Sequence, residues 1–372
     1  MNYLRNLLSC YQQYPDPDIQ LHLFIDYPED AMEYQGDAIV IHRMEIAIPA
    51  GLQHYPRRIM KRLLGYDPQA LNVLKQAKID LLTHNPLGKQ DTIDTLYWQP
   101  DFQHRLLPDL FSPEERAGRD AIVETTRRWG KILLSSHAAA KDFRDCYPDL
   151  AAVQTHVLHF SSTGILGVVP MERTELAKQY PVSEPYFFLP NQFWKHKNHQ
   201  LVVDALRQAN SDIRVICTGR MEDYRDPAYV PNLLEQVKRA GLEDQFITLG
   251  SVPYPVLASL MHHSVAVLQP SLFEGWSTSV EESKAMRKSI VLSNLAVHLE
   301  QAPERGTFFS PNSPDDLAAK LEQVYSEFDP VIEETYAAKR LLNRSNLEHA
   351  WATNFSNIIK TVRKAGHEQR SS

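Results

Sequence analysis

Cysteine is scarce in this chain of 372 residues: there are three, Cys10, Cys146 and Cys217, odd in number and far apart. That excludes a disulfide framework and a Cys-based zinc module, and it suits a reducing compartment. A basic surplus is also missing. Lys and Arg number 39 against 46 Asp and Glu, for a formal net charge of −7, so no nucleic-acid partner is expected. No apolar run approaches the ~20 residues that span a bilayer. The opening Met1-Asn2-Tyr3-Leu4-Arg5 has no apolar core of the signal-peptide kind. These absences lead to the expectation of a cytoplasmic, soluble protein. What is present is an ordinary globular balance, 43% hydrophobic and 23% charged, in a chain too long for one hydrophobic core. Two domains are therefore predicted.

Short apolar runs alternate with helical patterns. Ile19–Ile25, Ala38–Ile41, Ile79–Thr83, Ile93–Trp98, Ile132–Ser135 and Val157–Phe160 read as strands, with helices over Pro113–Trp129 and Ala138–Tyr147. In the second half Tyr186–Leu189, Ile213–Thr218, Phe246–Leu249, Val265–Leu268 and Ile290–Leu292 are brief, β-branched or aromatic, and each precedes a helix-length stretch. Such alternation implies parallel sheets covered on both faces, hence an α/β chain with two doubly wound domains. Gly164–Pro185, with two glycines and three prolines, reads as the join. The expected domains are 1–170 and 180–345, followed by a helical C-terminal stretch in which Trp351 and Phe355 stand at i and i+4. Leu4, Leu7, Leu8 and Tyr11 fall at helical spacing, so the chain opens on a helix where a doubly wound domain normally has a strand and a Gly-rich turn. The first strand of the fold is therefore expected to be missing.

The chemistry concentrates after Val265–Leu268, in Gln269-Pro270-Ser271-Leu272-Phe273-Glu274-Gly275-Trp276-Ser277-Thr278 and the helix that follows. In open α/β sheets ligands bind at the carboxyl ends of strands, and a helix N-terminus suits a phosphate. Glu274 stands in the loop and Glu282 inside the helix, placed for a hydroxyl-rich ligand such as a sugar or ribose. A plainer account is open for the later acids: Thr278-x-x-Glu281 and Ser279-x-x-Glu282 both match a capping box. A second constellation, Leu189-Pro190-Asn191-Gln192-Phe193-Trp194-Lys195-His196-Lys197-Asn198-His199, follows a strand and brings lysines able to neutralise a diphosphate. His196 and His199 are read as polar helix-start residues. In the first half, Asp101 and His104 follow a strand, where a turn with an Asp cap is the plain account.

With these motifs in place, the stretch from Phe187 to Leu321 resembles the C-terminal domain of retaining GT-B glycosyltransferases of family 4 (glycosyltransferase group 1). Glu274 and Glu282 match that family's Glu-x₇-Glu, preceded in the family's order by Leu249-Gly250-Ser251-Val252, the helix Tyr254–His263 and Pro270-Ser271. The resemblance implies two Rossmann-like domains with a cleft between them, a last helix over 348–366 returning to the first through Trp351 and Phe355, and an acceptor-side loop where Asp101 would accept a proton from an acceptor hydroxyl and His104 would orient one. It also implies a metal-independent transferase that moves a sugar from a nucleotide-diphosphate sugar with retention. Residue by residue, it implies that Glu274 contacts the donor sugar and Glu282 the ribose. Amides of Gly275, Trp276, Ser277 and Thr278 would hold the diphosphate, and backbone around Val252 would read the base. Lys197 matches the family lysine. The arginine that usually precedes it is absent; Asn191 or Gln192 stands near its place, and Lys195 is the candidate second charge. No cofactor is implied, the donor being a substrate: GDP-mannose or a UDP- or dTDP-sugar. The acceptor is expected to be a glycan or lipid-linked saccharide in surface-polysaccharide or lipopolysaccharide assembly. The basic run 57–64 reads either as a peripheral contact with the inner membrane or as a solvated helix face. Asp16-Pro17-Asp18 matches the Asp-x-Asp of metal-dependent GT-A transferases but precedes its strand, and is read as a turn. An impaired or truncated GT-B protein that only binds a nucleotide-sugar is the alternative. Arg287, where the family often has glycine, speaks for it.

Overall fold

The computed structural model describes residues 2–371 apart from Asp26, residues 44–62, Pro86, Lys89, Asp91, Glu184, Asn210 and Ser211. Most of the basic run 57–64 lies outside the described residues; Leu63 and Leu64 are exposed. Two compact units form, Met1–Phe160 with Glu348–Ser372, and Ser161–Leu347. The division falls before the Gly164–Pro185 stretch, because Ile165, Leu166 and Leu176 are buried with Tyr186, Phe188 and Val256 in the core of the second unit.

The first unit opens on a helix, Asn2–Gln13. Strands β1 (Leu21–Ile25) and β2 (Ile39–Arg43) pair in parallel. A second parallel sheet runs β3 (Leu81–His84), β4 (Asp94–Gln99), β5 (Lys131–Leu134) and β6 (Gln154–Val157) in that spatial order. The last strand lies three residues earlier than the apolar run Val157–Phe160 suggests. Its register against β5, Lys131 opposite Gln154 and Leu134 opposite Val157, is set by the parallel ladder rather than by hydrophobicity. The helix expected over Pro113–Trp129 is two, Pro113–Glu124 and Thr126–Trp129. Thr125 and Thr126 turn their hydroxyls onto the Ile122 and Val123 carbonyls, competing with the helical ladder between them.

The final helix, Arg344–Ser371, buries Trp351, Phe355, Ile359 and Val362 at helical spacing. Trp351 meets Tyr3 and Phe160, and Phe355 meets Tyr11 edge-on at 6.0 Å. Tyr3 is stacked on Trp98 at 4.4 Å. Asp16-Pro17-Asp18 is a turn, with Asp18 N–H bonded to Asp16 Oδ1. Its two carboxylates clasp Lys360 of the last helix at 2.8 and 2.9 Å.

The second unit holds six parallel strands: β7 (Phe187–Pro190), β8 (Val215–Thr218), β9 (Phe246–Thr248), β10 (Val267–Gln269), β11 (Ile290–Ser293) and β12 (Gly306–Phe309). Their order is β12-β11-β10-β7-β8-β9. The chain thus builds outward from β7 to β9, returns to the other side of β7 at β10, and builds outward again. Strand β12 was not expected from sequence, since an edge strand of four residues opening on glycine gives little hydrophobic signal. The reversal between β7 and β10 is the position where doubly wound sheets bind ligands.

Phe355→Ala should destabilise the protein by about 3–5 kcal/mol, the cost of a large cavity among aromatics. Deletion from Glu348 onward should lower the melting temperature or leave the product insoluble. A soluble truncated chain melting like the full one would show that this helix is dispensable.

Candidate functional site

Strands β7 and β10 are neighbours, so the segments leaving their carboxyl ends run side by side. After β7 the chain passes through Asn191–Trp194 into a tight turn, Lys195–Lys197, and then the helix His199–Leu206. Between turn and helix Asn198 adopts a left-handed conformation, φ 59°, which asparagine tolerates better than most residues. Its amide donates to the carbonyls of Pro270 (3.1 Å) and Pro311 (3.0 Å). Leu272 N–H bonds the His196 carbonyl at 2.8 Å. These bonds zip the two loops together. A close approach on the other side requires Gly219, φ 128°: a Cβ there would lie 2.4 Å from the Asn191 carbonyl oxygen.

The zipped loops bring Lys197 Nζ to 2.5 Å from Glu274 Oε1, with side chains 14% and 10% exposed. The same oxygen accepts from Gln269 Nε2 (2.9 Å) and Ser271 Oγ (2.7 Å). None of these three donors engages Oε2. Burial acts to raise the Glu274 carboxyl, but the adjacent Lys197 charge and hydrogen bond override it and hold the group below the usual carboxylate range.

Beyond Glu274, Ser277 is the N-cap of the helix Thr278–Ala285 but makes no side-chain cap. The capping boxes considered from sequence do not form. Glu281 accepts instead from Gln301 Nε2 (2.9 Å) and Lys284 Nζ (3.0 Å), and Glu282 from the Tyr254 hydroxyl (2.9 Å). Gln301 also grips the Ser277 peptide from both sides: Ser277 N–H donates to Oε1 at 3.3 Å and Nε2 donates to the Ser277 carbonyl at 3.0 Å. The Ser277 amide, expected on a diphosphate, is therefore committed to Gln301, and the uncapped first turn of the helix from Thr278 onward is the anion-attracting end. Gly275 and Trp276 are half-buried before it, Trp276 with Lys284 Nζ 6.0 Å from its ring centre. Val252 is half-buried against the core, two residues before the helix Tyr254–His263. Arg287 follows the helix in a left-handed conformation, φ 56°, so the glycine geometry is kept without the glycine.

Other candidates are placed differently from expectation. Lys195 Nζ pairs with Asp226 at 3.2 Å on a half-exposed side chain, so its charge is answered there rather than at Glu274. His196 and His199 stand at the short turn and at the helix start, as read from sequence, but are buried; His199 stacks on Phe193 at 4.1 Å, and burial foremost pushes both down to about 3, leaving them neutral. In the first unit His104 is fully buried, with Nε2 3.0 Å from both Asp120 Oδ1 and the Tyr147 hydroxyl. That network ties two helices together and leaves His104 no opening toward an acceptor. Asp101 Oδ1 accepts from Gln103 N–H at 3.0 Å, the local turn bond of the plainer account. Gln269, Ser271 and Tyr254 stood in the motif stretches read from sequence without a role assigned to their side chains, and Gln301 was not named at all.

Glu282 is 5% exposed, and burial raises its carboxyl to about 7 against the opposing hydrogen bonds of Tyr254 and Ser162. A carboxyl raised in the folded state is protonated there while the unfolded chain has already ionised. Its contribution is therefore intact below about pH 4.5 and is lost as pH rises through about 7. The full span corresponds to roughly 3 kcal/mol. Glu282→Gln should flatten the fall in melting temperature between pH 5 and pH 8; an unchanged slope would show that Glu282 ionises without cost.

Residues 172–335 match the family Glycosyl transferases group 1. No curated protein sequence matches the chain significantly. Among solved structures, the chain is similar to a glycosyltransferase from Rickettsia africae at 15% identity and TM-score 0.67, over 96% of this chain and 94% of that one. Sucrose-phosphate synthase from Thermosynechococcus elongatus aligns at 15% identity and TM-score 0.65, over 98% and 93%. HepE from Anabaena, solved in complex with UDP-glucose, aligns at 18% identity and TM-score 0.61, over 100% and 95%. The chain thus has the GT-B fold, and residues 172–335 of it are similar to the family Glycosyl transferases group 1.

Proposed function

We propose that the protein transfers a sugar from a nucleoside-diphosphate sugar held by the Ser161–Leu347 unit, with retention at the anomeric carbon. The observation that carries this reading is the meeting of Lys197 and Glu274, 77 residues apart, at the sheet's reversal point and beside an uncapped helix N-terminus. Each part has a task. Lys197 and the first turn of the helix from Thr278 stabilise charge on the departing diphosphate. Glu274, fixed through Oε1, offers Oε2 to sugar hydroxyls and holds the anomeric carbon in place. A carboxylate already accepting three hydrogen bonds and held below its ordinary pKa is a poor nucleophile, which favours a mechanism without a covalent sugar–enzyme intermediate. On that mechanism the acceptor hydroxyl approaches the face the diphosphate leaves. Glu282, bonded to Tyr254, is placed one turn into the same helix for ribose hydroxyls, and the Val252–Tyr254 segment for the base. HepE, bound to UDP-glucose, supports a nucleotide-sugar donor of this kind. An acceptor that is a glycan or lipid-linked saccharide, in surface-polysaccharide assembly, follows from the sequence resemblance.

One observation favours a second reading. Among the described residues Glu274 has one cation beside it, Lys197, and an uncharged residue, Asn191 or Gln192, stands near the place of the family's arginine, which suits a protein that binds nucleotide-sugars without transferring them.

GDP-mannose, UDP-glucose and dTDP-glucose should be screened by thermal shift and by release of free nucleotide. At a concentration about 100 times Kd the correct donor should stabilise the protein by about 2.7 kcal/mol. Glu274→Gln should reduce turnover at least ~100-fold. Glutamine is preferred to alanine, because removing the whole side chain strands the nearly buried Lys197 charge and costs stability as well. Stabilisation without turnover in the wild type would establish the binding-only reading; no response to any donor would overturn both.

A further inference from the structure

A directed chain of side-chain amides leads from the end of β7 to Glu274. Gln269 is fully buried at the end of β10, and Asn191 is buried just after β7. Glu274 is a carboxylate and can only accept, so the Gln269 side chain must turn its NH₂ toward it. Both N–H bonds are then used, one on Glu274 Oε1 (2.9 Å) and one on Ser277 Oγ (2.8 Å). The Gln269 carbonyl, facing the other way, needs a donor, and Asn191 Nδ2 supplies it at 2.5 Å. The orientation of each amide is thus dictated by the next group in line, over residues 78 apart in sequence.

We infer that Asn191 and Gln269 are positioning residues, a one-way hydrogen-bond relay that fixes Glu274 through Oε1 and leaves Oε2 aimed at the donor sugar. Asn191 acts through Gln269 and does not itself grip the donor. The inference rests on the donor-site reading above. The relay consists of neutral groups, so it orders Glu274 without competing with Lys197 for its charge.

Asn191→Asp is nearly isosteric but presents only acceptors. It sets oxygen against the Gln269 carbonyl or flips that amide, turning its oxygen toward Glu274. Gln269→Met keeps the volume and removes the bonds. Both variants and their combination are to be assayed with the probe among UDP-glucose, GDP-mannose and dTDP-glucose that the wild type turns over. The expected result for either single variant is a kcat lowered ~30-fold with KM within ~threefold, because the sugar and not the nucleotide loses its partner. The acid limb of the kcat–pH profile should move up by about one unit as Glu274 loses a donor. The double variant should be no worse than Gln269→Met alone, since the asparagine has nothing left to act through. If Asn191→Asp does not fold, Asn191→Ala takes its place with the same expectations. Wild-type kcat and acid limb in a folded Asn191 variant overturn the relay, as does an Asn191 effect that persists undiminished in the Gln269→Met background. A wild type that neither binds nor cleaves any of the three donors overturns the donor-site reading and this inference with it.

Discussion

The ion pair between Lys197 and Glu274 is the constraint around which the second unit is arranged. Two charges with little access to water survive together only if each is answered at short range. Here the answer comes from opposite sides of the strand-order reversal, one partner after β7 and the other after β10. Much of the surrounding structure serves to keep that meeting in place. Asn198 and the His196 carbonyl join the two loops, Gly219 lets a third segment close against Asn191, and Ser271 and Gln269 complete the shell of the shared carboxylate oxygen.

The strands of the second unit were legible because they are buried on both faces and so spell short, continuous apolar runs. The bounds of the helix Tyr254–His263 came through unchanged. Edge and register were harder. Strand β12 opens on a glycine at the sheet margin, and β6 is placed by its ladder with β5 while the apolar residues beyond it, Leu158 and Phe160, are buried in loop. In the site, the charged residues could be found from sequence, since a carboxylate ahead of a helix and a lysine after a strand carry recognisable context. The partners of the amides could not. Gln301 reaches Ser277 across 24 residues and Gln269 meets Asn191 across 78, and neither spacing differs from chance until the sheet is assembled.

Asp16-Pro17-Asp18 and His104 show the same limit from the opposite direction. Each has the residue types of chemistry. The aspartates engage Lys360 of the final helix, and His104 is enclosed with Asp120 and Tyr147. Residue type sets what a side chain can do, while the partner that the fold delivers sets what it does. Titratable groups thus hold the first unit together in roles that motif spacing would assign to catalysis.

Asn198 has a consequence for how the protein comes to be made. Its single amide answers carbonyls at Pro270 and Pro311, 72 and 113 residues downstream. Prolines have no N–H to offer, so these loops cannot be tied to their neighbours through a backbone ladder at those points. On a ribosome, a nascent chain that has emerged only as far as β10 holds Lys197 and β7 but neither carbonyl in its final place. The Lys197–Glu274 pair is therefore brought together by late, long-range closure, and what it does belongs to the finished unit rather than to any fragment of it.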